Sequence, residues 1–417
     1  MKPVNHTQPV TVVRGRVLLG SRVVENSVVA VAGTAIIYAG LETGLPDALT
    51  AAGIAASDVT TLVLAPGQLV APGLVDVHNH GGYGVDFLSA DAVAARSSLH
   101  RMHSAGTTTV LASLVTASPA DLFAGLDMFA GLAETGDVAG IHLEGPFLSA
   151  ARCGAQDPRW LRSPDADFAE QLITAARGHL RTMTYAPELP GAPDLVDLLI
   201  SHSVIPSLGH TAASADDAGA SLKRAAFGLG SRHGAVAGRR AAVPTVTHLF
   251  NGMDPLHHRS PGAVAAALRA ARAGTAIVEL IADNTHLDPY LVASMFELLG
   301  ADNIVLVTDA MAAAGLSDGQ YRLGPAEVSV SDGVARLQSG ALAGGTASML
   351  DLVRNAVAAG VPMEDALHSA TTVPARILGM SGRIGTLAAG ASADLLLLDA
   401  NLRLSRVLRR GVWISEG

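Results

Sequence analysis

Two histidines one residue apart, His78-Asn79-His80, close the apolar run LVDVHNH at 74–80. In an extended strand, residues two apart point to one face, so both imidazoles can converge on one ion. Taken alone, the pair equally describes two polar residues capping a strand-to-loop turn before Gly81-Gly82. The same residue types recur at the ends of other apolar runs: His142-Leu143-Glu144-Gly145-Pro146, Gly209-His210-Thr211, His248-Leu249-Phe250-Asn251 and Thr308-Asp309-Ala310. A lone histidine in such a place is more often a satisfied polar group at a rim. Five runs that each end in His, Glu or Asp are harder to explain structurally. Together they offer up to six ligands of the imidazole and carboxylate kind that zinc and similar divalent ions take. A divalent ion so held lowers the pKa of water toward neutrality, and that is hydrolytic chemistry.

The elements that must position these residues are short apolar runs alternating with Ala-rich helical stretches. The runs are 74–80, 107–115, 139–145, 180–188, 204–210, 244–251, 276–283 and 303–309, with helix-compatible segments such as 118–134 and 289–300 between them. Eight strands alternating with helices predict an α/β fold, a closed parallel (β/α)8 TIM barrel, whose carboxyl face is where active sites assemble. An open doubly wound sheet is the runner-up, but it gives no reason for His and Asp to fall at the ends of the runs. Before residue 65 or so the chain reads as short β-branched strands punctuated by Gly and Pro: VTVVRGRVLL, SVVAVAGTAIIYAG and DVTTLVLAPGQLV. Strand character returns after residue 384, so a small discontinuous, β-sandwich-like domain is expected from both termini. The expected division is 1–68 and 384–417 for that domain and 69–383 for the barrel. A β-hairpin insertion is expected around Ser331-Asp332-Gly333, and the Gly/Arg-rich stretch 228–242 reads as an exposed loop.

Composition removes other classes. The hydrophobic fraction is 49% and the mean hydropathy +0.36, yet no apolar run reaches the roughly 18 residues of a membrane span. The start, MKPVNHTQPV, has no apolar core of a signal peptide. A net charge of −9 without a basic run gives a nucleic-acid role no electrostatic footing. The single cysteine, Cys153, allows no intramolecular disulfide and fits a reducing cytoplasm. A soluble cytoplasmic enzyme with neither membrane nor nucleic-acid partner is the expectation.

His78-x-His80, then HLEGPF, LGHT, THLFNGM and VTDA in that order, resemble the N-acetylglucosamine-6-phosphate deacetylase branch of the amidohydrolase superfamily. The resemblance covers essentially the whole chain, including GRIGTLAAGASADLLLLD near its end. It implies hydrolysis of the acetamide of N-acetylglucosamine 6-phosphate to glucosamine 6-phosphate and acetate, in amino-sugar catabolism and cell-wall recycling. It also implies that Glu144, His210 and His248 hold the principal ion. His78 and His80, with Glu144 shared and Asp309 close by, would hold a second, giving two divalent ions per subunit. Zinc is favoured; Fe, Co, Mn and Cd suit the same ligands. Asp309 is the candidate general base, with a purely structural ligand as the other reading.

For the substrate, the resemblance implies Asn251, Gly252 and His286, and Arg259 reaching the phosphate of the neighbouring active site in a homodimer. Without it, Arg259 reads as a solvated loop cation. Leu342, Ala343 and Gly344 match a segment that lines the sugar pocket, and Ala155 and Gln156 belong to the loop after HLEGPF. Gln156 stands where the family often has a histidine that donates to the substrate carbonyl; an amide still donates but cannot become cationic. Cys153 in the same loop is either incidental or a gating residue. His142 reads as a supporting group beside Glu144, His103 as structural, and His257 and His258 as rim residues.

Lysine usage is an independent check. Many two-metal amidohydrolases bridge their ions with a carbamylated lysine from strand four, but this chain has only Lys2 and Lys223. A carbamate bridge is therefore ruled out, and Glu144 is the acidic residue left for that place, as the resemblance implies. The alternatives kept open are a deaminase, a deacetylase of N-acetylgalactosamine 6-phosphate or of an N-acyl amino acid, and a non-catalytic relic.

Overall fold

A computed structural model describes residues 10–232 and 242–414. By contacts these divide into two compact units: 10–75 with 101–109 and 361–414, and 76–100 with 110–232 and 242–360.

The first unit carries one eight-stranded sheet drawn from both ends of the chain. Its main path runs Val412–Ile414, Leu404–Arg409, Leu395–Leu398, Leu69–Pro72, Val10–Leu19, Arg22–Ala32 and Ala35–Leu41, with Val59–Val63 also pairing with Val10–Leu19. The expected return of the C-terminal segment to the N-terminal strands is thus present. The boundary expected at residue 69 falls at the head of a strand that pairs on both sides within this sheet, so the sheet keeps it. SVVAVAGTAIIYAG, one run in the sequence, is two strands folded across Gly33-Thr34. Alternation sorts the side chains by face. Val13, Val17, Val29 and Val31 pack with Leu395, Leu397 and Leu408, while Val12, Val28 and Ala30 pack with Leu45 and Leu49. The second face is covered by a helix at Leu45–Ala51, which strand-like neighbours concealed in the sequence.

The other sheet is parallel, with its strands in sequence order. We label them β1 (Leu74–Asn79), β2 (Thr107–Val115), β3 (Ile141–Glu144), β4 (Leu180–Tyr185), β5 (Ile205–Leu208), β6 (Thr245–Val246), β7 (Ile277–Leu280) and β8 (Ile304–Leu306). Backbone bonds from Asp309 N–H to His78 O (2.9 Å) and from His80 N–H to Ala310 O (2.8 Å) close the circle beyond β8. The helices that follow are α1 (Ala92–Ser104), α2 (Pro119–Glu134), α3 (Ala166–Ala175), α4 (Ala192–Ser201), α5 (Ala215–Arg232), α6 (Gly262–Arg272), α7 (Pro289–Leu299) and α8 (Met349–Ala358). Their starts are written in the sequence. Ser118, Asp165 and Asp288 accept from the first turn, and Ser348 with Asp351 forms a reciprocal capping box.

The expected (β/α)8 barrel is therefore the fold. All eight runs hold a strand, but most strands stop before their runs do. Residues 228–232 of the expected loop complete α5; 233–241 lie outside the described residues. The hairpin insertion is present as three antiparallel strands, Gly319–Leu323, Ala326–Ser331 and Val334–Arg336. Asp332 and Gly333 turn between the last two with φ of 51° and 73°, as a two-residue hairpin requires.

Candidate metal centre

Alternation along β1 puts Asp76 and His78 on one face of the strand, and His80 follows in step just past its end; β3 does the same with His142 and Glu144. The remaining ligand candidates stand beyond the paired part of their strands. His210, His248 and Asp309 have φ of 46°, 27° and 47°, a left-handed geometry uncommon outside glycine. That turn is why the sequence runs outlast the strands.

These residues form two groups that share Glu144. One is His78, His80, Glu144 and Asp309; the other is Glu144, His210 and His248. Glu144 Oε1 lies 3.0 Å from His210 Nε2 and 2.9 Å from His248 Nε2, and Oε2 lies 3.2 Å from His80 Nε2. Asp309 Oδ1 is 3.3 Å from His78 Nε2 and 3.2 Å from His80 Nε2, and the two Nε2 atoms are 3.0 Å apart. Ligand distances of about 2.0–2.1 Å in a tetrahedron put neighbouring donors about 3.3 Å from each other, the scale found here. The ring tautomers agree. His210 Nδ1 is 2.9 Å from the Arg152 carbonyl, which only accepts, so a proton sits there and Nε2 is the nitrogen turned on Glu144. Such contacts repel unless a proton or a cation stands between. The donor set fits a divalent cation.

His80, Glu144, His210, His248 and Asp309 open onto a cavity of about 250 Å³. Ala155, Gln156, Asn251, Gly252, His286, Leu342 and Gly344 share its wall, as do Gly154, Leu323 and Ala341, which the sequence did not point to. Ala343 departs from expectation: it is fully buried beside Met311, Val328 and Ala335, in the core beneath the wall. Arg259 is exposed, with Nη1 2.8 Å from His258 Nε2, and takes no part in the wall of its own chain. Cys153 is half-buried and outside the wall, which it adjoins through Gly154 and through its carbonyl, which accepts the N–H of Gln156 at 2.9 Å. Gln156 is doubly anchored: Thr116 N–H donates to its carbonyl at 2.8 Å, which turns its amide N–H onto Glu144 Oε2. The wall is also tied to Asp309, whose carbonyl accepts from Gly345 N–H at 2.7 Å. A Cβ at Gly344 would sit 2.8 Å from that same oxygen.

Residues 69–413 match the model of the amidohydrolase family. The chain belongs to the amidohydrolase family. It is 36% identical over 354 residues to an N-acetylgalactosamine-6-phosphate deacetylase of Escherichia coli O157:H7, covering 84% of this chain and 88% of that one. It is 36% identical over 370 residues to the N-acetylglucosamine-6-phosphate deacetylase of Homo sapiens, covering 84% and 85%. The crystal structure of N-acetyl-D-glucosamine-6-phosphate deacetylase from Mycobacterium smegmatis superposes with a TM-score of 0.84 at 34% identity, over 98% of this chain and 100% of that one.

In this amidohydrolase the buried charges set one another. Burial would lower His80, but hydrogen bonds and charge from Asp309 and Glu144 outweigh it and push the ring up to about 9. His78 is raised likewise, against burial, by the charges of Asp309, Glu279 and Glu144. Burial would raise Asp309, yet the charge of His78 and the bond from His80 hold it at about 2. Glu144 is held well below its usual range against burial, chiefly by His78. His142 goes the other way: burial, reinforced by the charge of His78, keeps it neutral. Its two nitrogens therefore need one donor and one acceptor, which Ser113 Oγ (2.9 Å) and Thr184 Oγ1 (2.8 Å) supply. Thr184, Thr247 and Ser207 continue as a ladder of buried hydroxyls at 2.6–2.8 Å.

Sequence reading missed two buried acids. Asp76 accepts from Thr308 and Asn79, bracing the closure between β1 and the end of β8. Glu279, on β7, accepts from His78 Nδ1 at 2.9 Å. The available signal was an acid inside an apolar run, since such residues are rarely buried without a partner.

Proposed function

We propose that the chain hydrolyses the acetamide of N-acetylglucosamine 6-phosphate, releasing acetate and glucosamine 6-phosphate. The observation that carries this is the shared carboxylate of Glu144 between two ligand groups, with Asp309 beside it at one cavity. Identity of 36% to enzymes named for this class of reaction supports it. Glu144, His210 and His248 would hold one ion; His78, His80 and Asp309, again with Glu144, a second. Zinc is the favoured metal. When bound, such an ion supplies an electrophile for the acetamide oxygen and a lower pKa for water.

The chain's own residues account for the rest. Asp309, kept ionised at neutral pH, takes a proton from the attacking water and returns it to the leaving amine. Neutral His142 holds its hydroxyl neighbours and moves no proton. Ala155, Gln156, Asn251, Gly252, His286, Leu342 and Gly344 form the wall that orients the sugar, and Arg259 serves the phosphate in the neighbouring site of a homodimer. An arginine fork suits phosphate oxygens. Asp283, 2.7 Å from His286 Nδ1, raises that ring's pKa against its burial and so favours the charged form beside an anionic substrate.

A panel of N-acetylglucosamine 6-phosphate, its 4-epimer and the unphosphorylated sugar, assayed for acetate with metal content known, tests the reading. Preference for the first supports it. Faster turnover of the 4-epimer transfers it to the galactosamine series, for which the Escherichia coli relative is named. Indifference to phosphate sinks both. In the same assay Asp309→Asn should lower kcat by about 10²–10⁴ while the His210–His248 ion is retained.

A further inference from the structure

Glu279 is buried in the middle of β7, between Val278 and Leu280, and the reaction above gives it no task. Its Oε2 lies 2.9 Å from His78 Nδ1 and 3.1 Å from the backbone nitrogen of His248. Its carbonyl accepts the N–H of Leu249 at 2.9 Å. One carboxylate oxygen thus touches a member of each ligand group, a ring in one and the main chain in the other.

The two contacts differ in what they govern. A carboxylate oxygen accepts, so His78 Nδ1 carries a hydrogen and Nε2 is the nitrogen left to face His80, Glu144 and Asp309. The negative charge behind the ring also raises the basicity of that nitrogen. His210 has a neutral carbonyl in the equivalent place, and among the described residues the Nδ1 atoms of His80 and His248 have no hydrogen-bond partner. His248 therefore owes Glu279 the path of its backbone and not the state of its ring.

We propose that Glu279 is a positioning residue for the ion held by His78, His80 and Asp309, acting through His78, and that it leaves the affinity of the other ion unchanged. This rests on the two-ion reading given above.

The test is zinc titration of the metal-free protein against a competing chelator, for wild type, Glu279→Gln, His78→Ala and the double variant. Glutamine keeps one oxygen acceptor for both contacts, removes the charge, and puts an NH2 in place of the oxygen that makes neither contact. Glu279→Gln should weaken the His78-dependent ion by about 10–100-fold and leave the other as in wild type. In the His78→Ala background it should change nothing further, because its route is already gone. A further loss of the remaining ion in that background, or an equal loss of both ions in Glu279→Gln, would show a merely structural residue and overturn the proposal. Two ions of wild-type affinity in Glu279→Gln overturn it as well, with the two-ion reading intact. A wild-type chain binding one ion indifferent to His78→Ala overturns both. Should Glu279→Gln not fold, Glu279→Asp, which keeps the charge but draws it back by one methylene, should weaken the same ion and spare the other.

Discussion

The histidines that meet at Glu144 are delivered by opposite means. His78 and His80 keep the two-residue repeat of β1 and come to the site on regular strand geometry. His210 and His248 stand just past β5 and β6 with left-handed backbones, a conformation that costs about 1–3 kcal/mol per residue and persists only where the surroundings enforce it. The enforcement is visible: Ser149 N–H donates to His210 O, Leu249 N–H to Glu279 O and Asn251 N–H to His248 O, each at 2.9 Å. A ligand pair on a strand depends on a carboxylate behind one ring, whereas a pair on turns depends on loops locked from several sides. One pair is tuned by charge and the other by shape.

The largest effect should come where the contrast ends, at the residue both pairs use. Glu144→Ala should remove both ions and lower activity by more than about 10³, read by metal analysis and acetate release. Retention of one full equivalent would show that the pairs do not depend on it jointly. A smaller effect separates the pairs by pH. His80 holds its proton up to about 9 in the metal-free chain, so an ion must displace it. The apparent affinity of the His78–His80 ion should therefore rise with pH, about tenfold per unit for each proton released, and less steeply once pH passes about 9, where the His80 proton is gone. Zinc titration at several pH values reads this, and a flat profile would contradict the charge-tuned description. The smallest effect probes shape. Gly252 has φ +60°, and a Cβ there would lie 2.9 Å from His210 Nδ1. Gly252→Ala should cost about 1–2 kcal/mol in denaturant unfolding and weaken the His210–His248 ion more than the other.

The same contrast explains what the sequence disclosed. His78-x-His80 is legible because a strand has a fixed repeat, and Glu144 because it follows His142 in step. His210, His248 and Asp309 are legible as residue types at run ends, but their left-handed turns are not, since no glycine or asparagine marks those positions. The barrel was legible from eight runs alternating with helical stretches, and capped helix starts such as Ser118-Pro119 and Asp288-Pro289 carry it. The helix Leu45–Ala51 was not, because it is short and its neighbours are strand-like. Glu279 stayed hidden because its partners are about two hundred residues away in the case of His78, and periodicity says nothing across that span. Ala343 was misplaced for a related reason: a loop's sequence does not say which of three adjacent residues turns inward.

The bond between Gly345 N–H and the Asp309 carbonyl has a consequence for how such an enzyme changes its diet. The side chains of Leu323 and Leu342 reach the cavity from the hairpin insertion and the loop after it, and neither belongs to a ligand group. A lineage can therefore trade half-buried Leu342 for other sizes and admit new sugars without rebuilding the chemistry, whereas Leu323 is also held in the core beside Met311 and Val328. Gly344 and Gly345 allow no such drift, because a Cβ on either presses on the backbone of Thr308 and Asp309. Adaptation of substrate range and loss of function are separated here by two positions in the chain.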